Sequence, residues 1–333
     1  MQVNEQLQMM MDNVKQFCEQ AIKDQAITFE REGIPESMFQ SFRDQGFIGA
    51  NLPSSMGGAE LDRQGYDAIL FRLAEYSPSA AFYVYMNNSI ILPLLSGAGM
   101  HDLVGELLKG KTRIGLASSN LLEGAGDHDP FLSTAVFPSE YMIKVENGEV
   151  LLVRGKFQPA DRKSLGLRGL GVGMNSFEAE ESKELGGKEA LENLMLGSSW
   201  EQSAIFLGLS KGALDKAIEY TKVRKTFNYP LKDYSPVAFR LSELMSDLEI
   251  MTHFLFSEEG EQKGLMLKAR SSDFSRKATK YALQYHGGYG YLEDFGVEKF
   301  YRDSVALSSL MFRHEGDKKA LAESIYGSRS GYL

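Results

Sequence analysis

The sequence predicts a mainly helical protein with one small β domain, and three observations carry that prediction. Stretches at both ends repeat apolar residues at helical spacing. The stretch between them loses this periodicity and gains glycine and β-forming residues. The four helical runs of the last third are joined by short connections, the pattern of an antiparallel four-helix bundle. The boundaries fall at 1–112 for an N-terminal helical domain, 113–190 for a small middle β domain and 191–333 for the bundle.

In order along the chain, Val14, Phe17, Ala21 and Ile22 form the first apolar stripe. Pro35-Glu36-Ser37 reads as a helix start, with proline early and an acid in the first turn; Met38, Phe39 and Phe42 then line one face. Asn51 to Gly58 is a break, punctuated by Pro53 and paired glycines. Ala68 to Tyr76 resumes a helix, and Ala80 to Leu95 reads as a buried one because it is apolar on most faces. Leu103 to Leu108 is a short amphipathic helix closed by Lys109-Gly110-Lys111, a glycine cap flanked by cations. In the β region, residues 134–137, 141–145 and 149–153 read as strands, with one more over Val172 to Phe177. Asn147-Gly148 predicts a hairpin, since both residue types tolerate positive φ. Ser182 to Gly187 reads as a polar linker. The bundle runs are Ile205 to Thr221, Phe239 to Phe256, Ser272 to Tyr285 and Lys318 to Tyr326. The second is the most amphipathic, with Leu241, Leu244, Met245, Leu248, Met251 and Leu255 in register.

Composition narrows the function classes. The 333 residues carry 36 Lys plus Arg against 45 Asp plus Glu, a net charge of −9. That balance argues against a nucleic-acid protein, while a local basic site for a phosphorylated ligand stays open. The lone cysteine, Cys18, forbids an intrachain disulfide and a thiolate metal cluster and suits a reducing cytosol. His101, His128, His253, His286 and His314 form no close ligand pair, so no metal site is expected. The first residues have no basic run followed by an apolar one, and no apolar stretch is long enough to span a bilayer.

Two motifs in the last third carry the functional signal. Arg224-Lys225-Thr226-Phe227-Asn228 closes one helical run. Gln284-Tyr285-His286-Gly287-Gly288-Tyr289-Gly290-Tyr291 closes another and is followed by Tyr301-Arg302-Asp303. By itself, Arg224 is equally an arginine at a helix C-terminus, and two glycines are common in a C-cap. Together, at this spacing and in this domain order, they resemble the flavin-binding corner of the acyl-CoA dehydrogenase family. The resemblance extends to Gln45-Gly46-Phe47-Ile48-Gly49 through Pro53 and Met56-Gly57-Gly58-Ala59-Glu60-Leu61, and to Leu165-Gly166-Leu167-Arg168-Gly169. It implies the family's fold, with the middle domain a reduced, β-barrel-like sheet, and FAD as cofactor.

The family pattern implies that Arg224 pairs with the FAD pyrophosphate, its planar fork matching phosphate oxygens. Thr226 would add a hydroxyl and Phe227 an apolar wall. Gln284 would hydrogen-bond the nucleotide part, and Gly287 and Gly288 would let backbone N–H groups approach it. Ser118 and Ser119 stand where the family's middle domain opens toward the flavin. In the family the corner serves a neighbouring subunit's flavin, so the resemblance also implies an oligomer, a dimer or tetramer. Arg302 and Asp303 read as a structural ion pair.

The resemblance implies α,β-dehydrogenation of an acyl thioester such as an acyl-CoA. A carboxylate removes the α-proton, hydride leaves to flavin, and an electron-transfer flavoprotein is the natural acceptor. His314-Glu315-Gly316-Asp317 is the nearest match to the family's base motif, making Glu315 the candidate base; a gapless spacing would place Met311 there instead. Asp317, so close in sequence, would raise one of the two carboxyl pKa values. The family's alternative base and substrate arginine fall near Ser198 and Ser199, which are neither acidic nor basic. The middle domain lacks the Trp-Ile-Thr strand that walls the flavin; the single tryptophan, Trp200, lies elsewhere. Two alternatives therefore stay open: a non-catalytic subunit of a hetero-oligomer, or a related flavin enzyme such as a monooxygenase or an acyl-carrier-protein dehydrogenase.

Overall fold

The computed structural model describes residues 5–117, 132–133, 139–158, 164–174, 176–310 and 314–327. Thirteen α-helices are present among them: α1 Glu5–Ala21, α2 Ala26–Glu32, α3 Glu36–Asp44, α4 Arg63–Tyr76, α5 Pro78–Tyr85, α6 Leu92–Gly97, α7 His101–Leu108, α8 Lys188–Gly197, α9 Ser199–Val223, α10 Ser235–Ser257, α11 Glu261–His286, α12 Glu298–Leu310 and α13 His314–Tyr326. The strands are β1 Ile114–Leu116, β2 Leu132–Ser133, β3 Tyr141–Glu146, β4 Glu149–Gln158, β5 Gly173–Met174, β6 Ser176–Gly187, β7 Lys225–Thr226 and β8 Tyr229–Pro230. The fold class is the expected one, mostly helical with a small sheet. The chain forms two compact units, one of residues 1–27, 67–78 and 198–333, the other of 28–66 and 79–197.

The first unit is built on α9 and α11, which pack on each other and on α10 and α12, with α13 against α11. Leu241, Leu244, Leu248 and Leu255 of α10 are buried, the stripe that the sequence marks. On α9, a Cβ at Gly208 or Gly212 would strike the Phe71 or Glu75 carbonyl, so these glycines let α4 and α9 touch backbone to backbone. Cys18 is buried against the Arg72 carbonyl, and burial pushes its thiol pKa far up, which leaves it inert.

The second unit holds the sheet, in the order β1-β3-β4-β6, with β1 parallel to β3 and the other pairs antiparallel. Asn147 and Gly148 both have positive φ, 52° and 83°, giving the tight hairpin between β3 and β4. The strand expected over 134–137 lies outside the described residues. Ser182 to Gly187 is not a linker but the second half of β6. Residues 178–184 are all exposed and include Glu178, Glu180, Glu181 and Glu184; a strand without a buried face at the end of a sheet leaves no alternating pattern to read. The long buried helix over Ala80–Leu95 is broken into α5, a π-helical turn over Met86–Ile91 and α6. From that turn Asn88 donates to the Phe47 carbonyl (2.7 Å) and accepts from the Gly49 N–H (2.8 Å), fixing the glycine-rich loop. The Leu165–Gly169 segment docks through the Ile34 N–H on the Gly169 carbonyl at 2.8 Å.

Candidate functional site

Arg224 ends α9, its N–H still bonded to the Tyr220 carbonyl while its backbone turns extended. Lys225-Thr226 then pairs with Tyr229-Pro230 around Phe227 and Asn228, both at positive φ (48° and 70°). Asn228 thus supplies the left-handed backbone for which a glycine is the usual choice. This two-residue hairpin holds Phe227 outward, 85% exposed. Tyr234 braces it, donating to the Thr226 carbonyl at 2.5 Å.

The second motif ends α11. Gly287 has φ 57° and ψ −136°, a backbone that side-chain-bearing residues avoid. Gly288 is different: its φ is not positive, and a Cβ there would meet no atom within 4 Å. Nothing in the surrounding chain requires a glycine at 288, so its bare backbone is open to an approaching group. Gln284 is exposed on the last turn of α11.

An aromatic cluster joins the two motif ends. The His286 ring stacks on Tyr220 at 4.3 Å, and Phe295 meets both edge-on. Tyr289 packs on Phe295 at 5.1 Å, and the Arg224 guanidinium lies 5.6 Å over the Tyr289 ring. That ring orients a cation that has no ion pair among the described residues. His286 is buried, and its Nδ1 sits 2.8 Å from the Ala282 carbonyl, so Nδ1 carries the proton and donates. Burial first, and the nearby Lys216 charge as well, push its pKa below the ordinary value, against the opposing effect of the carbonyl. The ring is neutral at pH 7. The motif spacing pointed to Arg224 and the glycines, but not to this link, although Tyr220 lies one helical turn before Arg224.

Glu315 stands in the first turn of α13, and its side chain lies outside the described residues, as do Ser118, Ser119 and Met311. Asp317 is described. It is buried, and Lys268 of α11, also buried, donates to it at 2.5 Å. Burial lowers the Lys268 pKa, against the pull of Asp317. The acid next to Glu315 in sequence therefore has a cationic partner 49 residues away. Ser198 accepts from Gln202 at 3.0 Å at the start of α9, and Trp200 stacks on Phe254 at 6.0 Å with its indole N–H on the Gly260 carbonyl. These contacts lie inside the first unit. Arg302 and Asp303 do not pair with each other. Neighbours on a helix point about 100° apart; Arg302 takes Glu298 at 3.2 Å, and Asp303 faces Lys299 at 3.9 Å, both one turn back on α12.

Two family models match the sequence. Residues 4–111 match "Acyl-CoA dehydrogenase, N-terminal domain", and residues 190–310 match "Acyl-CoA dehydrogenase, C-terminal domain". The chain belongs to the acyl-CoA dehydrogenase family. It is an acyl-CoA dehydrogenase-type oxidoreductase with a shortened middle domain. Its relatives include the caffeyl-CoA reductase–Etf complex subunit CarC of Acetobacterium woodii, 24% identical over 91% of this chain and 93% of that one. The 3-(aryl)acrylate reductase of Clostridium sporogenes is also 24% identical, over 90% and 93%. A glutaryl-CoA dehydrogenase from Mycobacterium smegmatis, solved in complex with FADH2, shares the fold with a TM-score of 0.83, at 13% identity over 99% of this chain and 96% of that one.

Proposed function

We propose that this acyl-CoA dehydrogenase is an FAD-dependent enzyme acting on the Cα–Cβ bond of an acyl thioester. The observation that carries the reading is the corner itself, where one aromatic cluster links Arg224 to the open backbone at Gly287 and Gly288. The residues present fit FAD: an exposed guanidinium for a pyrophosphate, and a glycine whose missing Cβ leaves room for a ligand. Arg224, Thr226, Phe227, Gln284, Gly287 and Gly288 would hold it, with Ser118 and Ser119 at the middle domain. When bound, FAD supplies the two-electron acceptor or donor at Cβ. Glu315 is the proposed proton carrier at Cα, taking the proton during oxidation and returning it during reduction. The names of the Acetobacterium and Clostridium relatives motivate testing the reductive direction, and the Acetobacterium name supports an electron-transfer flavoprotein as redox partner.

The test is an anaerobic visible spectrum of the purified chain with acyl-CoAs, and of the reduced protein with α,β-unsaturated thioesters. Bleaching in the first or reoxidation in the second is expected. Glu315→Gln should keep the flavin and lose either response. A chain that stays colourless after FAD is added would sink the reading. The shortened middle domain favours a second one, a subunit that completes the flavin site of a related chain; co-purification with that chain would identify it.

A further inference from the structure

We propose that the second unit carries a separate binding site for a small phosphate monoester on a hydroxylated carbon skeleton. A cleft of about 570 Å³ opens between the end of α7, the start of α3, the start of β3 and the middle of β4. Lys111, Arg113 and Lys156 line it, together with Glu36 and Glu140.

The charge around the cleft is opposite to that of the whole chain. Glu36 is shared by Arg113 at 2.6 Å and Arg43 at 3.4 Å, and Glu140 is taken by Arg154 at 2.6 Å. Lys111 and Lys156 have no ion pair among the described residues. Three cations thus line the cleft with two carboxylates; with Arg43 and Arg154 behind those carboxylates and Glu178 and Glu181 across the sheet from Lys156 and Arg154, the surroundings keep a small positive excess in a protein of net charge −9. The ordinary explanation, lysines complementing the C-terminal dipole of α7, covers Lys111 but not Lys156, which comes from β4. The site is also built from behind. Gly110 has φ +70°, and a Cβ there would collide with the Arg43 guanidinium. Its absence lets Arg43 lie nearly buried beneath Glu36.

A second observation points to a ligand. Thr112 lines the cleft, is 8% exposed, and its hydroxyl has no hydrogen-bond partner among the described residues. A buried hydroxyl in that state is destabilising until a partner is supplied. No apolar or aromatic side chain lines the cleft among the described residues. That excludes an acyl chain or a flavin ring, which need apolar walls. Two lysines suit a dianionic phosphate, Thr112 can donate to it, and the Glu36 and Glu140 carboxylates can accept from hydroxyl groups on the rest of the ligand.

Calorimetric titration of the flavin-loaded full chain tests the site, using glycerol 3-phosphate, inorganic phosphate and glycerol as probes. Glycerol 3-phosphate should bind most tightly, phosphate more weakly and glycerol not at all. Binding should weaken as salt rises. The double variant Lys111→Gln, Lys156→Gln should lose about tenfold or more in affinity with flavin absorbance and melting temperature unchanged, and Thr112→Val a smaller factor with flavin absorbance unchanged and a melting temperature that does not fall. No binding at millimolar probe, equal affinity in the double variant, or phosphate alone binding as tightly as its glycerol ester would each overturn the proposal. The readout is heat of binding, so failure of the flavin reading leaves it intact on the flavin-free chain.

Discussion

Arg224 has the clearest individual consequence. Its guanidinium is exposed and oriented by the Tyr289 ring. Replacing it with glutamine removes a charged donor worth ~1.5–3 kcal/mol to a phosphate, so FAD affinity should fall about tenfold to a hundredfold by fluorescence titration. Arg224→Lys should fall between, because an ammonium keeps the charge but not the fork. Unchanged affinity in the glutamine variant would remove Arg224 from the site. His286 makes a different prediction, about pH. Its folded pKa lies below the ordinary value of about 6.5. As pH drops below that value the unfolded chain takes up the proton first, so this residue's contribution is full above pH ~6.5 and is lost on acidification toward the folded pKa. Denaturant melts from neutral to mildly acidic pH should show that loss, and His286→Phe, which keeps an aromatic ring beside Tyr220, should remove the His286 part of it. Both glycines and the arginine could be proposed from the sequence because a motif spaces them there. The ring cluster could not, since stacking is a tertiary fact that spacing does not encode.

At the scale of elements, α11 and α13 are tied by the buried pair of Lys268 and Asp317. Lys268→Met leaves a carboxylate buried without its cation and should destabilise the fold by about 3–5 kcal/mol. Adding Asp317→Leu should recover most of that loss, whereas two independent penalties would instead accumulate. The amphipathic bundle helices and the Asn147-Gly148 hairpin could be read directly, because each repeats its local signal over its own length. The Lys268 pair could not, as 49 residues separate its members. β6 was misread for a physical reason: exposure along Glu178–Glu184 erases the alternation that marks a half-buried strand. The π-helical turn was missed because periodicity does not mark where one extra residue enters a buried helix.

For the molecule as a whole, the proposed flavin corner faces outward on its own unit, with Phe227 and Tyr291 85% and 88% exposed. If a neighbouring chain completes the site, assembly and flavin retention are linked. Dilution of the flavin-loaded protein should then release FAD in parallel with a fall in molar mass measured by light scattering; a monomer that retains its flavin would contradict this. The shortened middle domain has another result. Cutting strands from a sheet exposes an edge, and a bare edge recruits strands from other molecules. β6 is the last strand of the described sheet and carries Glu178, Glu180, Glu181 and Glu184 in the open. Any copy that tried to add its own β6 there would bring four glutamates and one lysine against the same set, an excess of negative charge that opposes edge-to-edge pairing.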